Sequence, residues 1–289
     1  MTEVKLQKNT KRLPKSAKLQ AVALRACVYI GAAITVALVV GIVGYILIKG
    51  IPHIRLDLFS PDYTSENVSL FPALVNTVWI TLLSLLIAVP LGIFSAVYLT
   101  EYAKRGNRFV KIVRLMAETL SGIPSIVYGL FGMLLFVEAF GWGYSLLSGA
   151  FTLAIMILPI IMRTTEEAIG SVPDMYREGS FGLGAGRLRT VFKIVLPSAM
   201  PGICAGAILS VGRIVGETAA LIYTAGTMAQ IPANVMGSGR TLAIHLYSLW
   251  REGMNIERAY ATAVVLIVIV IAINALSSFI AKKLTKGKD

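Results

Sequence analysis

The sequence predicts an all-α membrane protein with six transmembrane helices. Of its 289 residues, 56% are hydrophobic and only 15% are charged, and the mean hydropathy is +0.76. Soluble globular chains carry about 25% charged residues, and about 20 consecutive apolar residues span a bilayer as a helix. Apolar stretches of about that length recur along this chain, with polar segments between them. The composition therefore excludes a soluble domain.

The first predicted span covers residues 26–48 and follows a basic tail at residues 1–25. A basic segment before an apolar one is also typical of a secretory signal peptide. The apolar stretch here is about 23 residues long, whereas the apolar core of a signal peptide has about 7–15 residues. We therefore expect an uncleaved first span.

Five further spans are predicted, at residues 72–99, 120–137, 147–162, 197–225 and 259–280. The segments that separate the spans are richer in polar residues and are predicted to be loops: 49–71, 101–118, 138–148, 163–196 and 227–258. The chain closes with a second basic tail at residues 282–289. Residues 26–281 are thus expected to form one six-helix transmembrane domain.

The distribution of positive charge predicts the orientation of this domain. Twenty-one of the 27 lysines and arginines fall in the two tails and in the segments 101–118 and 163–196, and only five fall in the alternate segments. Cytoplasmic loops of membrane proteins carry an excess of these residues. Both termini are therefore expected in the cytoplasm. Topology alone accounts for the net charge of +12, so the charge does not indicate a nucleic-acid-binding function.

Residues 174–197 form a charged, glycine-rich stretch between the fourth and fifth predicted spans. The pattern predicts a helix over 174–181, a bend at Gly182, Gly184 and Gly186, and a basic helix over 187–195. Glycine permits such a bend because it tolerates positive φ. A compact helix–turn–helix at a membrane surface offers a projection that another protein can bind.

The spacing within this stretch resembles the EAA loop of the permease subunits of ABC importers. The matching positions are Glu178, Gly179, Ser180, Gly184, Ile194, Leu196 and Pro197, where Gly179 and Ser180 replace the two alanines of the motif. The resemblance implies a type I ABC importer permease fold (MetI-like), in which this loop docks into a groove of a separate ATPase subunit. The alternative is an ordinary amphipathic loop between membrane helices.

Three charged residues are candidates for an anion pathway. Arg213 and Glu217 lie inside the fifth predicted span, and a spacing of four would place them on one helix face, where they could pair. Charges within a bilayer are costly and usually mark a pathway, and the planar fork of arginine suits a phosphate-like oxyanion. The alternative is a structural ion pair. Arg163, at the end of the fourth predicted span, could serve anion exit or could be a membrane-interface anchor.

Three segments add a second resemblance, to the permease subunits of phosphate ABC importers. They are Thr119–Gly132, the segment that begins Arg163-Thr-Thr-Glu-Glu-Ala, and the segment that begins Arg213-Ile-Val-Gly-Glu-Thr-Ala. The resemblance implies a multi-pass protein of a bacterial inner membrane that transports inorganic phosphate. It also implies three kinds of partner: a second, homologous permease (PstC-like), an ATPase dimer (PstB-like) and a periplasmic phosphate-binding protein (PstS-like).

Other functions remain open on the residues alone. Arg213 would suit sulfate, phosphonate or molybdate as well as phosphate. A stand-alone secondary anion transporter is a further alternative, although such proteins often show inverted repeats, and no internal repeat is evident. A membrane scaffold without transport would gain nothing from charges inside a span.

The sequence also lacks the motifs of an enzyme. It contains no G-x-x-x-x-G-K-[ST] phosphate-binding loop, so ATP hydrolysis is expected from a partner chain. Cys27 and Cys204 lie in apolar segments, and His53 and His245 stand far apart in outer segments. We therefore expect no metal site and no cofactor.

Overall fold

The computed structural model describes residues 15–104, 106–253 and 255–286, and all regular structure in these residues is helical. The α-helices are, in chain order, α1 (Lys15–Gly50), α2 (Phe71–Val97), α3 (Arg108–Ser121), α4 (Ser125–Gly132), α5 (Leu146–Gly170), α6 (Asp174–Gly182), α7 (Arg187–Thr190), α8 (Leu196–Val215), α9 (Ala219–Ile222), α10 (Leu242–Glu252) and α11 (Ile256–Lys286). Short 3₁₀ helices cover Ile51–His53 and Leu56–Phe59. Single π-helical stretches follow α2, α4 and α7, at Tyr98–Tyr102, Met133–Ala139 and Val191–Val195.

The chain divides into two compact units, residues 1–48 and 49–289. The first unit contains most of α1, which begins at Lys15 and exposes the side chains of residues 23–42, as a lipid-facing span requires. The outermost parts of the two predicted tails, residues 1–14 and 287–289, lie outside the described residues.

Within the part of the chain that the structure describes, five helical segments are long and apolar enough to cross a membrane. They are Ala23–His53, Phe71–Tyr102, Leu146–Gly170, Arg187–Val215 and Ile256–Leu276. A bent pair of helices, Arg108–Ser121 and Ser125–Ala139, raises the possible number of spans to six. The predicted all-α membrane fold is confirmed.

The predicted third span, residues 120–137, is wrong in its bounds. The structure places a break there, and the helices on either side of it meet at an angle of 104°. Pro124 explains the break, because proline lacks the backbone N–H that a helix needs and disfavours helical backbone at the preceding residue. The helix after the break, Ser125–Ala139, is therefore a short apolar segment that starts at Pro124 as its N-cap.

The predicted loop 101–118 is also wrong, because most of it is helix α3. Its basic residues suggested a polar loop, but Val110, Val113 and Ala117 recur at helical spacing and pack against the end of α2. Asn107 begins the helix, since its side chain accepts a hydrogen bond from the backbone N–H of Phe109 at 2.9 Å. Helix α3 has one charged face and one apolar face, which is typical of a helix that lies along a membrane surface.

Helices α2 and α5 form the centre of the second unit. Ile80 of α2 and Leu153 and Ile157 of α5 are fully buried in one core cluster. Helix α8 packs against α5 at Gly206, where an added Cβ would overlap the Thr164 side chain. Small residues of this kind let membrane helices approach closely.

A second cluster lies where α5 leads into residues 174–197. It contains Val97, Ile169, Val191 and Val195. It therefore joins the ends of α2 and α5 to the start of the α8 segment.

The predicted loops 49–71 and 227–258 contain much more structure than expected. Leu58, Leu70 and Leu242 are fully buried in one cluster at the end of the bundle opposite residues 174–197, and α10 occupies part of the second segment. Polar and apolar residues are mixed along these segments, so a few leucines gave too weak a signal for a packed cap. The fifth predicted span, 197–225, likewise ends early, because α8 stops at Val215.

We expect the contact between α4 and α9 to tolerate no side chain at Gly129. An added Cβ would lie 2.8 Å from the backbone Cα of Ala220, and a backbone cannot move aside as a flexible side chain does. Gly129→Ala should therefore lower the free energy of unfolding by about 1–3 kcal/mol. Thermal unfolding in detergent measures the change.

Gly212→Ala is the matched control, because nothing lies within 4 Å of a Cβ built at Gly212 in α8. Alanine is a better helix former than glycine by about 1 kcal/mol. Equal destabilisation by both substitutions would contradict the backbone contact at Gly129.

Candidate functional site

Residues 174–197, which we name the elbow, consist of α6, a tight turn and the α7–α8 helical segment. Gly184 occupies the turn with φ +80°, the left-handed conformation that only glycine adopts readily. The hydroxyl groups of Ser180 and Thr190 are 2.8 Å apart and are both buried, so they join the two arms. The predicted helix–bend–helix is therefore present, with the bend centred on Gly184.

Arg177 fixes the elbow to the helix bundle. Its Nε and Nη2 donate to Glu101 Oε1 at 3.0 and 2.7 Å, and its Nη1 donates to Asp174 Oδ1 at 3.1 Å. Nη1 and Nη2 also donate to the backbone carbonyls of Val172 and Ile169, at 2.7 and 3.0 Å. One guanidinium thus links α6, the end of α5 and the π-helical end of α2.

The burial of the Arg177–Glu101 pair distinguishes it from an ordinary surface ion pair. The two side chains are only 16% and 10% exposed. Exposed ion pairs contribute about 0–1 kcal/mol to the free energy of unfolding, whereas charge-assisted hydrogen bonds shielded from water are stronger. These shielded bonds therefore attach the elbow to the ends of α2 and α5.

The outer face of the elbow is open and apolar. Glu178, Gly179 and Gly184 are exposed, and Glu178 forms no ion pair among the described residues. Leu183 is 91% exposed, and five further large apolar side chains of the elbow are also exposed: Met175, Tyr176, Phe181, Leu188 and Phe192. Exposed apolar side chains in this number are typical of a protein-binding surface.

The remaining positions of the EAA-like pattern lie inward. Ser180 is buried, and Ile194, Leu196 and Pro197 are half-buried. Leu196 packs against the cluster that contains Val195 and Ala199. The pattern therefore combines an exposed half, available to a partner, with a packed half that holds the elbow on the bundle.

The predicted pairing of Arg213 with Glu217 is wrong. Helix α8 ends at Val215, so the two residues do not share a helix face. Glu217 Oε1 instead accepts a hydrogen bond at 3.1 Å from the backbone N–H of Ala220, and the residue is 9% exposed. Its carboxylate therefore satisfies a free N–H at the start of α9, which an interrupted helix leaves unpaired.

Arg213 is left exposed and without an ion pair in the described part of the chain. Tyr128 of α4 is close enough to interact with it electrostatically. Its guanidinium is thus available to an anion that approaches this face.

A hollow of about 850 Å³ opens directly after Glu217, among α4, α9 and α10. Thr218, Thr227, Ser248, Arg251 and Glu252 give it a polar lining. Sequence reasoning missed Thr227, Ser248, Arg251 and Glu252, because segment 227–258 was predicted to be a loop. The helical spacing of Leu242, His245 and Leu249, which are buried on one face of α10, was the available signal.

Arg163 lies beside a smaller hollow of about 210 Å³ at the elbow end of the bundle. Its side chain is 70% exposed, and its Nε is 3.2 Å from Glu167 Oε1. Arg114 and Glu166 line the same hollow and pair at 3.1 Å. The structure therefore places Arg163 with other charged groups, and not beside Arg213.

No group of three or more potential metal ligands occurs among the described residues.

The chain resembles a known family over most of its length. Residues 88–288 match the model of the binding-protein-dependent transport system inner membrane component. The chain is 37% identical over 277 residues to the probable ABC transporter permease protein YqgI of Bacillus subtilis, and the match covers 88% of this chain and 94% of YqgI.

Two further relatives are phosphate transport system permease proteins named PstA. The Pasteurella multocida protein is 34% identical over 80% of this chain and 84% of its own length. The Mycobacterium tuberculosis protein PstA 1 is 36% identical over 67% of this chain and 64% of its own length.

Solved structures of ABC transporters share the fold. A chain of a bacterial alginate ABC transporter superposes with a TM-score of 0.67 at 18% identity, covering 96% of this chain and 99% of that one. A chain of the inward-facing MetNI methionine ABC transporter superposes with a TM-score of 0.58 at 21% identity, and the match covers 74% of this chain and 94% of that one. At these identities the likeness establishes the fold alone.

Permease subunits of this family are multi-pass inner-membrane proteins that work with an ATPase, a substrate-binding protein and a second permease. The exposed elbow and the membrane-spanning helices fit such a subunit. The chain belongs to the family of binding-protein-dependent transport system inner membrane components and is a permease subunit of an ABC importer.

Proposed function

We propose that the chain is the PstA-type permease subunit of an ATP-driven importer of inorganic phosphate. The observation that carries the choice of substrate class is Arg213 at the end of α8, which is exposed and has no ion pair among the described residues. Relatives named PstA, at 34% and 36% identity, support phosphate among the possible oxyanions. The partners are then a PstC-like permease, two PstB-like ATPase subunits and a PstS-like phosphate-binding protein.

Arg213 provides a transient contact for the anion. Guanidinium groups bind phosphate oxygens through paired, charge-assisted hydrogen bonds. The Glu217 carboxylate, four residues away and fixed on Ala220, leaves Arg213 free while keeping a negative charge nearby. In this scheme the anion enters through the hollow lined by Thr218 and Arg251 and leaves past Arg163 at the elbow end, with Arg213 as the contact between them.

The elbow receives the motion that ATP produces. When the ATPase dimer closes on ATP, the subunit bound to the apolar face around Leu183 moves the elbow as one body. The Arg177 contacts with Glu101, Val172 and Ile169 pass this movement to α2 and α5. The helices then alternate between inward-facing and outward-facing arrangements.

The orientation follows from the positive-inside pattern, with the elbow and both termini in the cytoplasm. The ATPase is a cytoplasmic subunit in this scheme, so the elbow must face the same compartment.

Replacing Arg213 should abolish uptake without loss of the assembled complex. Arg213→Gln removes a charged hydrogen-bond donor that contributes about 1.5–3 kcal/mol, so labelled phosphate uptake should fall roughly tenfold or more. Arg213→Lys keeps the positive charge but loses the planar fork of donors. Its uptake should therefore lie between that of the wild type and that of Arg213→Gln. Reconstituted vesicles with a sulfate competitor report both rate and selectivity.

Arg55→Gln is the matched control, because Arg55 is exposed at the opposite end of the bundle from the elbow. Unchanged uptake in Arg213→Gln would remove Arg213 from the pathway. If sulfate competes for uptake as well as unlabelled phosphate does, the chain would still belong to an oxyanion importer. The assignment to phosphate would then be contradicted.

Cysteine labelling tests the orientation. Leu183 in the elbow is 91% exposed, and Leu56, at the other end of α2, is 92% exposed. In a background with Cys27→Ser and Cys204→Ala, a membrane-impermeant maleimide should label Leu56→Cys in intact spheroplasts. It should label Leu183→Cys only in inverted vesicles prepared without the ATPase subunit, which would otherwise cover this position. The reverse pattern would place the elbow outside and refute the coupling scheme.

A further inference from the structure

A buried arginine without a counter-charge lies at the end of the bundle opposite the elbow. Arg240 is 5% exposed, and its Nε and Nη2 have neither solvent contact nor a hydrogen-bond partner. No carboxylate pairs with it in the part of the chain that the structure describes. Nε and Nη2 form one edge of the guanidinium, the edge that donates two parallel hydrogen bonds to an anion.

Hydrogen bonds hold the backbone around Arg240 in place, so its side chain does not belong to a loose loop. Asn76 Nδ2 of α2 donates to the carbonyl oxygens of Gln230 and Arg240 at 2.8 and 3.2 Å. The N–H of Leu242 donates to Thr77 Oγ1 at 2.9 Å, and that of Arg240 donates to the Met228 carbonyl at 2.9 Å. The segment is thus pinned to α2 on both sides of Arg240.

Further buried polar atoms beside Arg240 also lack partners. Among the described residues they are the Thr241 hydroxyl and Asn76 Oδ1, while one ring nitrogen of His245 interacts with the backbone of Val68. Arg240 lies over the Tyr63 ring, with its Cζ 4.7 Å from the ring centroid, and the His245 ring meets the same ring edge-on at 6.2 Å. Arg240 and His245 therefore share one enclosed neighbourhood.

His245 cannot supply the missing negative charge, and it does not add a positive one. Burial, followed by the nearby charge of Arg240, lowers the pKa of His245 to about 3. At neutral pH the ring is uncharged and offers one N–H donor. The Arg240 charge is thus opposed only by the face of the Tyr63 ring.

A charge taken out of water without a partner is strongly unfavourable, and one cation–π contact offsets only part of that cost. The unpaired buried donors of Arg240 and Thr241 add to it. An anion at the Nε–Nη2 edge would supply the missing counter-charge and accept from both of these Arg240 donors.

We propose that Arg240, with His245 and Thr241, binds a small inorganic anion that stabilises this end of the permease. The site is separate from Arg213, and it stands whether or not phosphate is the transported ion. The ligand is either a halide from the medium or an oxyanion of the transported class, and both would meet the same donors.

Bromide identifies an anion at the site directly. Crystals of the importer complex grown in bromide should show an anomalous peak next to the Nε–Nη2 edge of Arg240. Crystals grown in phosphate with a non-binding organic counter-ion should instead show tetrahedral density there if the ligand is an oxyanion. Either result supports the site and names the source. Only water at this position in both crystals would overturn the proposal.

Thermal unfolding of the detergent-purified complex gives an independent measurement. At constant ionic strength with gluconate as the balancing anion, the binding anion should raise the Tm of the wild type by a few degrees, and the rise should saturate. Arg240→Gln should remove this dependence, and His245→Gln should weaken it.

Arg55 is exposed near the same end of the bundle and serves as the control. Arg55→Gln should keep the full dependence of the Tm on the anion. If Arg240→Gln does not assemble, His245→Gln and the bromide crystals still decide the question. Equal anion dependence in the wild type and in both site variants would overturn the proposal.

Discussion

The structure depends on the Arg177 guanidinium, which holds a projecting elbow on a membrane-embedded bundle. Two of its nitrogens bind Glu101 after the end of α2, and the carbonyls of Ile169 and Val172 and the carboxylate of Asp174 take up the remaining donors. The elbow exposes large apolar side chains on its outer side, so its stability on the bundle must come from its inner side. A multiply bonded arginine that is only 16% exposed provides that stability where a surface ion pair would not.

The helix break after α8 is the second feature from which function follows. Had α8 continued, Arg213 and Glu217 would neutralise each other on one face. Because the helix ends at Val215, Glu217 is used to satisfy the Ala220 N–H, and Arg213 remains exposed. A backbone interruption inside an apolar segment thus prevents the predicted ion pair and leaves Arg213 without an ion pair among the described residues. Close approach of α4 to the Ala220 backbone at Gly129 holds the interrupted segment in place.

The sequence predicted what depends on local pattern. The apolar runs, the glycine bend at Gly184 and the EAA-like spacing led to the correct fold class and elbow. The errors arose where tertiary packing outweighed composition. Helix α3 carries enough charge to resemble a loop, and α10 lies in a segment in which only residues such as Leu242 and Leu249 indicate burial. The Glu101–Arg177 bond joins residues 76 positions apart, and no pattern within one sequence indicates such a pair.

The ratio of substrate imported to ATP hydrolysed tests the central claim most directly. In vesicles that contain the complete importer, Glu101→Ala should leave ATP hydrolysis substantial while import falls, because the elbow still binds the ATPase but no longer moves α2. Glu66→Ala, an exposed carboxylate at the opposite end, should leave the ratio unchanged. An unchanged ratio in Glu101→Ala would contradict the claim that this arginine–glutamate link transmits the motion.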